Sequence, residues 1–113
     1  MGKLQFKNVD IKLEIEDHVF YIDIFDDRVN EGFKDMIEVS TKIQSTSDFE
    51  SYAQVAQTLT PIFDKILGEG AIEQIFKGEQ PRMSYIIQLA RYLSDEINNQ
   101  REENFRDLYV KHD

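Results

Sequence analysis

The two histidines are the first residues to test for metal-binding or catalytic chemistry. His18 falls in a predicted turn, and His112 lies far from it along the chain. They share no predicted helix face, and their separation matches no common spacing of metal ligands. The absence of cysteine excludes a disulfide scaffold, a thiolate zinc site and a cysteine nucleophile. These residues predict no metal site, and the lack of cysteine fits a reducing compartment.

The acidic group Asp23, Asp26 and Asp27 is a candidate site for Ca²⁺ or Mg²⁺. The twelve-residue calcium loop, with its central glycine and terminal glutamate, is absent. Carboxylates at the start of a helix accept hydrogen bonds from its free N–H groups and complement its dipole. We therefore interpret Asp26 and Asp27 as helix-capping residues rather than as metal ligands.

The segment Gly68-Glu69-Gly70 resembles the beginning of a phosphate-binding glycine loop. Its third glycine position holds Glu73, and Glu69 places negative charge where an anion would bind. Nothing isolates these two glutamates in an apolar pocket, which acid–base catalysis requires, and no serine lies in a nucleophile elbow. The sequence predicts a helix–helix turn here, in a protein that is not an enzyme and needs no cofactor.

Aromatic residues outside the predicted core are stronger candidates for function. A hairpin and three amphipathic helices offer more apolar surface than one small core covers, and exposed aromatic patches mark protein interfaces. The alternative is that these side chains fold back onto the core. The candidate partner-binding residues are Tyr52, Tyr85, Tyr92, Phe105, Leu108 and Tyr109.

A β-hairpin is predicted in the first 25 residues. The segment Ile11–Ile15 alternates apolar and charged residues, as a strand with one solvated face does. Asp17-His18 is the predicted turn, and Val19–Phe25 is the predicted second strand. The apolar positions change phase at Lys7-Asn8, which predicts either a bulge or an additional short strand.

Helical periodicity begins after the hairpin, and the first helix has a glycine, Gly32, that weakens it by about 1 kcal/mol relative to alanine. Its predicted apolar face consists of Val29, Phe33, Met36, Ile37 and Ile43. The segment Ser47–Glu50 matches a capping box and starts a second helix. Pro61 interrupts that helix, so either it kinks there or Thr60 caps a new one.

Two further helices are predicted after Gly68, which ends the second. A short helix covers Ala71–Phe76 and ends at Gly78, and Pro81 lies in the first turn of a long last helix. Residues 98–104 are polar on all sides, so they extend that helix into solvent or fray. The predicted buried stripe of the last helix consists of Tyr85, Ile86, Leu89, Ala90, Leu93 and Ile97.

The whole chain, 113 residues with a net charge of −9, fits one α+β domain with a single core. The predicted hairpin occupies residues 1–25, where three short strands are the alternative. It packs with three main helices and a short connecting helix in residues 26–97. Residues 98–113 form a polar helical extension or tail. The negative charge repels phosphate, so direct nucleic-acid binding is not expected, and no apolar run is long enough for a membrane span.

Two phrases of the sequence resemble a known family. The hairpin ends in Tyr21-Ile22-Asp23-Ile24-Phe25-Asp26 and leads directly into a helix, and the segment Ile62–Gly78 precedes one long helix. The pattern resembles the tail-assembly-chaperone-like proteins of siphophages and prophages of Gram-positive bacteria. The resemblance extends to about Asn98, and its most specific part runs from Phe63 to Gly78.

This resemblance implies a non-enzymatic assembly factor in the cytoplasm of the bacterial host. Such proteins keep the long helical tape-measure protein soluble while the tail is built and give way to tail-tube subunits, so these two proteins are the implied partners. We also expect a homo-oligomer, because a two-stranded hairpin leaves open edges. The alternatives are an acidic DNA mimic that inhibits a nucleic-acid-binding protein, and a generic protein-interaction domain.

Overall fold

The computed structural model describes residues 2–6, 8–45 and 49–109, and it confirms the α+β fold. The side chains of residues 43–45, 49–52 and 104–109 lie outside this description. One cluster of buried apolar side chains joins the hairpin to the helices. The elements in chain order are β1 (Ile11–Ile15), β2 (His18–Ile22), α1 (Asp27–Ser45), α2 (Phe49–Leu67), α3 (Ala71–Phe76) and α4 (Met83–Tyr109).

The hairpin is an antiparallel pair in which Ile11 lies opposite Ile22. Both residues are buried, as is Leu13, which confirms the predicted core face. The chain turns at Glu16-Asp17, one residue earlier than predicted, because Glu16 adopts the left-handed conformation with φ 52°. The sheet of the described residues has two strands, and residues 2–6 are irregular and exposed.

The second strand ends at Ile22, three residues earlier than predicted. The Asp23 side chain causes this, because its Oδ1 accepts the N–H of Phe25 at 2.9 Å and bends the chain toward α1. Asp26 Oδ1 then accepts the N–H of Arg28 at 2.9 Å. This contact confirms the predicted role of Asp26 as a helix cap.

The most extensive contact between helices joins α1 and α2. Gly32 is buried in that contact, where a Cβ atom would lie 2.9 Å from Cγ1 of Ile66. Lys65 bridges the same pair of helices, with its Nζ 3.0 Å from Glu31 Oε1 and 3.8 Å from Asp35 Oδ2. The glycine that weakens α1 locally therefore allows the two helices to approach each other.

Three details of the helices differ from the prediction. Ile37 is exposed because it follows the buried Met36 by one residue, or about 100° around the helix. α2 continues through Pro61, since buried residues on both sides of the proline pack against the rest of the core. The last helix begins at Met83, so Pro81 precedes its first turn.

α4 has 27 residues and a length of about 40 Å. It continues through Asn98, so the predicted polar extension belongs to the same helix. Tyr85, predicted to be part of the buried stripe, is 47% exposed. The rest of that stripe is buried as predicted, at Ile86, Leu89, Ala90, Leu93 and Ile97.

Side chains of α4 cover the outer edge of β1. Gln100 Nε2 donates to the carbonyl of Lys12 at 2.8 Å, and the N–H of Lys12 donates to Gln100 Oε1 at 3.1 Å. The N–H of Glu14 donates to the hydroxyl of Tyr92 at 2.9 Å. These bonds occupy main-chain groups that an edge strand would otherwise expose, and they hold α4 against the sheet.

Candidate functional site

A groove of about 530 Å³ lies between the hairpin turn, the C-terminal end of α3 and the first half of α4. Its volume is that of a site for a small ligand or for a few side chains of a partner. Its rim is charged, whereas its interior is largely apolar. The apolar and aromatic lining residues are Ile15, Ile75, Phe76, Tyr85, Leu89 and Tyr92.

A stacked aromatic pair forms one wall of the groove. The ring centroids of Phe76 and Tyr85 lie 6.4 Å apart, and the two ring planes are inclined by 16°. The guanidinium carbon of Arg82 lies 5.8 Å from the centroid of the Tyr85 ring, on its face. Although Tyr85 contacts both residues, 47% of it remains exposed. The solvent-facing ring is therefore held by contacts with two side chains, and an aromatic surface held in this way would lose little entropy on binding.

Tyr92 lines the same groove from a more buried position. Its ring packs against the core, and its hydroxyl accepts the N–H of Glu14 at 2.9 Å. Tyr85, Leu89 and Tyr92 follow one another at steps of four and three residues, which places them on one face of α4. This hydrogen bond holds α4 against the hairpin and thereby fixes the position of the Tyr92 side chain in the groove.

The start of α3 is fixed by a side chain of α2. Asp64 Oδ1 accepts the N–H of Ile72 at 2.8 Å. Gly68 and Gly70 have φ values of 121° and 83°, which residues with a Cβ rarely adopt. This geometry confirms that the connection is a helix–helix turn.

The end of α3 determines where Phe76 points. Lys77 and Gly78 both adopt left-handed conformations, with φ 56° and 77°, and the N–H of Gly78 donates to the carbonyl of Glu73 at 3.0 Å. Such a C-terminal cap ends a helix sharply. Phe76 is therefore the last residue of α3 and borders the groove.

The rim carries an excess of negative charge. It has four carboxylates and one lysine, which are Glu14, Glu16, Asp17, Glu79 and Lys77. Glu14 also pairs with Lys12, whose Nζ lies 3.2 Å from Glu14 Oε1. This hydrogen bond raises the pKa of Lys12 above its ordinary value. The contribution of this raised pKa to stability is present at neutral pH and is lost as the pH rises through the pKa of Lys12.

The structure brings two of the six candidate partner-binding residues, Tyr85 and Tyr92, into this groove. The side chains of the other four, which are Tyr52, Phe105, Leu108 and Tyr109, lie outside the described residues. Phe76 was not predicted as a site residue. The available signal was its place at the end of a short helix, directly before a glycine-containing cap.

Other chemistry has less support in the part of the chain that the structure describes. Among the side chains that the structure describes, no three histidines or carboxylates are grouped so that they could hold a metal ion. Within residues 2–6, 8–45 and 49–109, none of the helices combines the length and apolar character needed to cross a lipid bilayer. A second depression, about 300 Å³ between α2 and the start of α4, is lined by uncharged residues.

Comparison with known proteins gives a family but no activity. No curated protein and no solved structure matches the chain significantly. One family model, described as a family of unknown function, matches residues 7–112 and so includes both strands and all four helices of the described structure. The chain therefore belongs to this family of unknown function, DUF6673.

Proposed function

We propose that this protein is a phage tail assembly chaperone, which binds the tape-measure protein without catalysis and releases it to tail-tube subunits. The observation that carries the proposal is the half-exposed Tyr85 ring, stacked on the partly buried Phe76 in an acid-rimmed groove. The likeness of Ile62–Gly78 to tail-assembly-chaperone-like proteins supports the same proposal, because this segment builds the groove wall that bears Phe76.

The groove fits an amphipathic helix that has apolar anchors and basic residues beside them. In helix-in-groove recognition, anchors at steps of three and four residues enter an apolar cleft. Phe76, Tyr85 and Tyr92 offer that cleft, and the rim carboxylates would pair with lysine or arginine. Such charge pairs select the partner and its orientation more than they add affinity. A long helical tape-measure protein supplies segments of this kind.

The overall charge suits the same task in the cytoplasm of the host. A net charge of −9 keeps a protein soluble and repels other copies of itself. A chaperone that covers the apolar face of a partner helix adds this charge to the complex. Because the rim contacts are polar and the anchors few, tail-tube subunits can displace the chaperone as the tail grows.

Tyr85→Ala tests the proposal directly. Loss of a central aromatic anchor typically costs about 2 kcal/mol of binding free energy, so the dissociation constant for tape-measure segments should rise roughly 30-fold. Isothermal titration calorimetry with overlapping tape-measure segments measures this change. The matched control is Phe25→Ala, which removes a ring that is 52% exposed and lies outside the groove lining.

The control variant should bind as the wild type does. Equal affinities of wild type and Tyr85→Ala would show that the groove is not the binding site. Failure of every tape-measure segment to bind the wild-type protein would refute the assignment itself.

A further inference from the structure

We infer that a second copy of this chain pairs with the open edge of β2 and forms a four-stranded antiparallel sheet about a two-fold axis. The inference goes beyond the proposed function and does not depend on it. The two residues that carry it, Val19 and Tyr21, do not line the groove, although His18 of the same strand does.

The hydrogen bonds of β1 establish which groups of β2 point outward. The N–H groups of Lys12 and Glu14 donate to side chains of α4 rather than to β2. Their register partners, Tyr21 and Val19, therefore stand in the non-hydrogen-bonded pairs of the ladder. The N–H and C=O groups of these two residues point away from β1. In the described residues, the sheet has no third strand that would accept them.

The fold covers one edge of the hairpin and leaves the other edge exposed. The outer edge of β1 is bonded to α4, whereas β2 presents Val19 and Tyr21 at 50% and 64% exposure. Soluble proteins usually protect such an edge with charged residues or proline. The sequence of β2, His-Val-Phe-Tyr-Ile, contains neither proline nor a carboxylate.

Two copies of β2 can approach each other without repulsion between carboxylates within the strand. Each chain carries a net charge of −9, so two copies repel one another wherever carboxylates face carboxylates. Within β2 itself, pairing brings no carboxylate against another. A second copy presents the same outward main-chain groups, so it is an occupant that satisfies both edges at once.

One register satisfies the outward groups of both copies. With Phe20 on the two-fold axis, Val19 lies opposite the partner's Tyr21, and Tyr21 lies opposite the partner's Val19. Each of these pairs exchanges two main-chain hydrogen bonds, as hydrogen-bonded antiparallel pairs do. A β-branched side chain then faces an aromatic one across the strands, which is a favourable combination.

Cysteine cross-linking tests this register, since the natural chain contains no cysteine. Mixing a Val19→Cys variant with a Tyr21→Cys variant places the two thiols on opposed residues, whose Cα atoms are about 5.5 Å apart and within disulfide range. Either variant alone leaves its two thiols offset by two residues, about 8–9 Å apart at 3.4 Å per residue. Under mild oxidation, disulfide-linked dimers should form at least about fivefold faster in the mixture than in either variant alone.

Sedimentation of charge variants measures the oligomeric state and tests the same interface independently. Val19→Lys combined with Tyr21→Lys should make the chain monomeric, and so should Val19→Glu combined with Tyr21→Glu. Mixing the two double variants should restore a dimer, because opposite charges then face each other across the strands. A wild-type chain that sediments as a monomer at tens of micromolar would overturn the inference. Cross-linking without preference for the mixture would overturn it as well.

Discussion

Gly32 weakens helix α1 but allows α2 to pack closely against it. As a helix residue it costs about 1 kcal/mol relative to alanine. As a contact residue it leaves the space that Ile66 and Lys65 occupy on α2, where a Cβ atom would meet Cγ1 of Ile66 at 2.9 Å. Contacts that short force the neighbouring side chain or helix to move, at a cost of typically 1–3 kcal/mol.

Gly32→Ala should therefore lower the free energy of unfolding by about 1 kcal/mol, the overpacking cost less the gain in helix propensity. In an Ile66→Ala background the obstructing Cγ1 atom is gone, and the same substitution should become neutral or stabilising. Urea denaturation of the four proteins in this cycle measures the coupling. An equal effect of Gly32→Ala in both backgrounds would show that the short contact with Ile66 is not what limits this position.

At the scale of elements, α2 contains a residue that helices usually avoid. Pro61 has no N–H, so the carbonyl of Gln57, one turn earlier, receives no hydrogen bond from it. The helix nevertheless runs unbroken, with Leu59 and Phe63 fully buried on either side of the proline. Tertiary packing therefore overrides a local defect whose intrinsic cost is about 3 kcal/mol.

Pro61→Ala should raise the free energy of unfolding by roughly 1–2 kcal/mol. The restored N–H bonds to Gln57, while the greater freedom of alanine in the unfolded chain offsets up to about 1 kcal/mol of the gain. Thr58→Ala is the matched control, because it changes propensity at another exposed position of the same helix without adding a donor. Thermal and urea unfolding should show a larger gain for Pro61→Ala. A loss of stability would mean that the proline ring makes a contact the helix needs.

The elements themselves were largely predictable, whereas the contacts that join them were not. Strand β1 and helix α4 are recognisable in the sequence because their apolar residues recur at regular spacings. The bonds of Gln100 and Tyr92 to β1 join residues 88 and 78 positions apart, and one polar side chain leaves no periodic trace. For the same reason Tyr85 and Tyr92 were predictable as candidates, but their common groove with Phe76 was not.

At the scale of the whole molecule, the net charge leads to different expectations for a tail assembly chaperone and for a DNA mimic. A net charge of −9 attracts any basic partner. A DNA mimic stands in for many phosphates and should lose roughly 10³- to 10⁵-fold in affinity between 50 and 200 mM salt. An amphipathic helix held by Phe76, Tyr85 and Tyr92 depends mainly on apolar contact, which salt does not screen.

We therefore expect the affinity for tape-measure segments to fall by less than about tenfold across that range of salt. Fluorescence anisotropy at a series of sodium chloride concentrations gives the slope, with Tyr85→Ala as the comparison that weakens binding at every concentration. A steep slope with no effect of Tyr85→Ala would favour mimicry of nucleic acid over the chaperone assignment.

The bonds from Gln100 and Tyr92 to β1 also limit how many chains could join one sheet. In the sheet that we infer for two copies joined through β2, both outermost strands are β1, and the same two side chains already bond to both outward groups of Lys12 and to the N–H of Glu14. A third chain would therefore meet an edge on which three of the four outward groups of Lys12 and Glu14 are already bonded. Such an assembly would stop at two chains, and the endless stacking of strands that leads to fibrils would be blocked at β1.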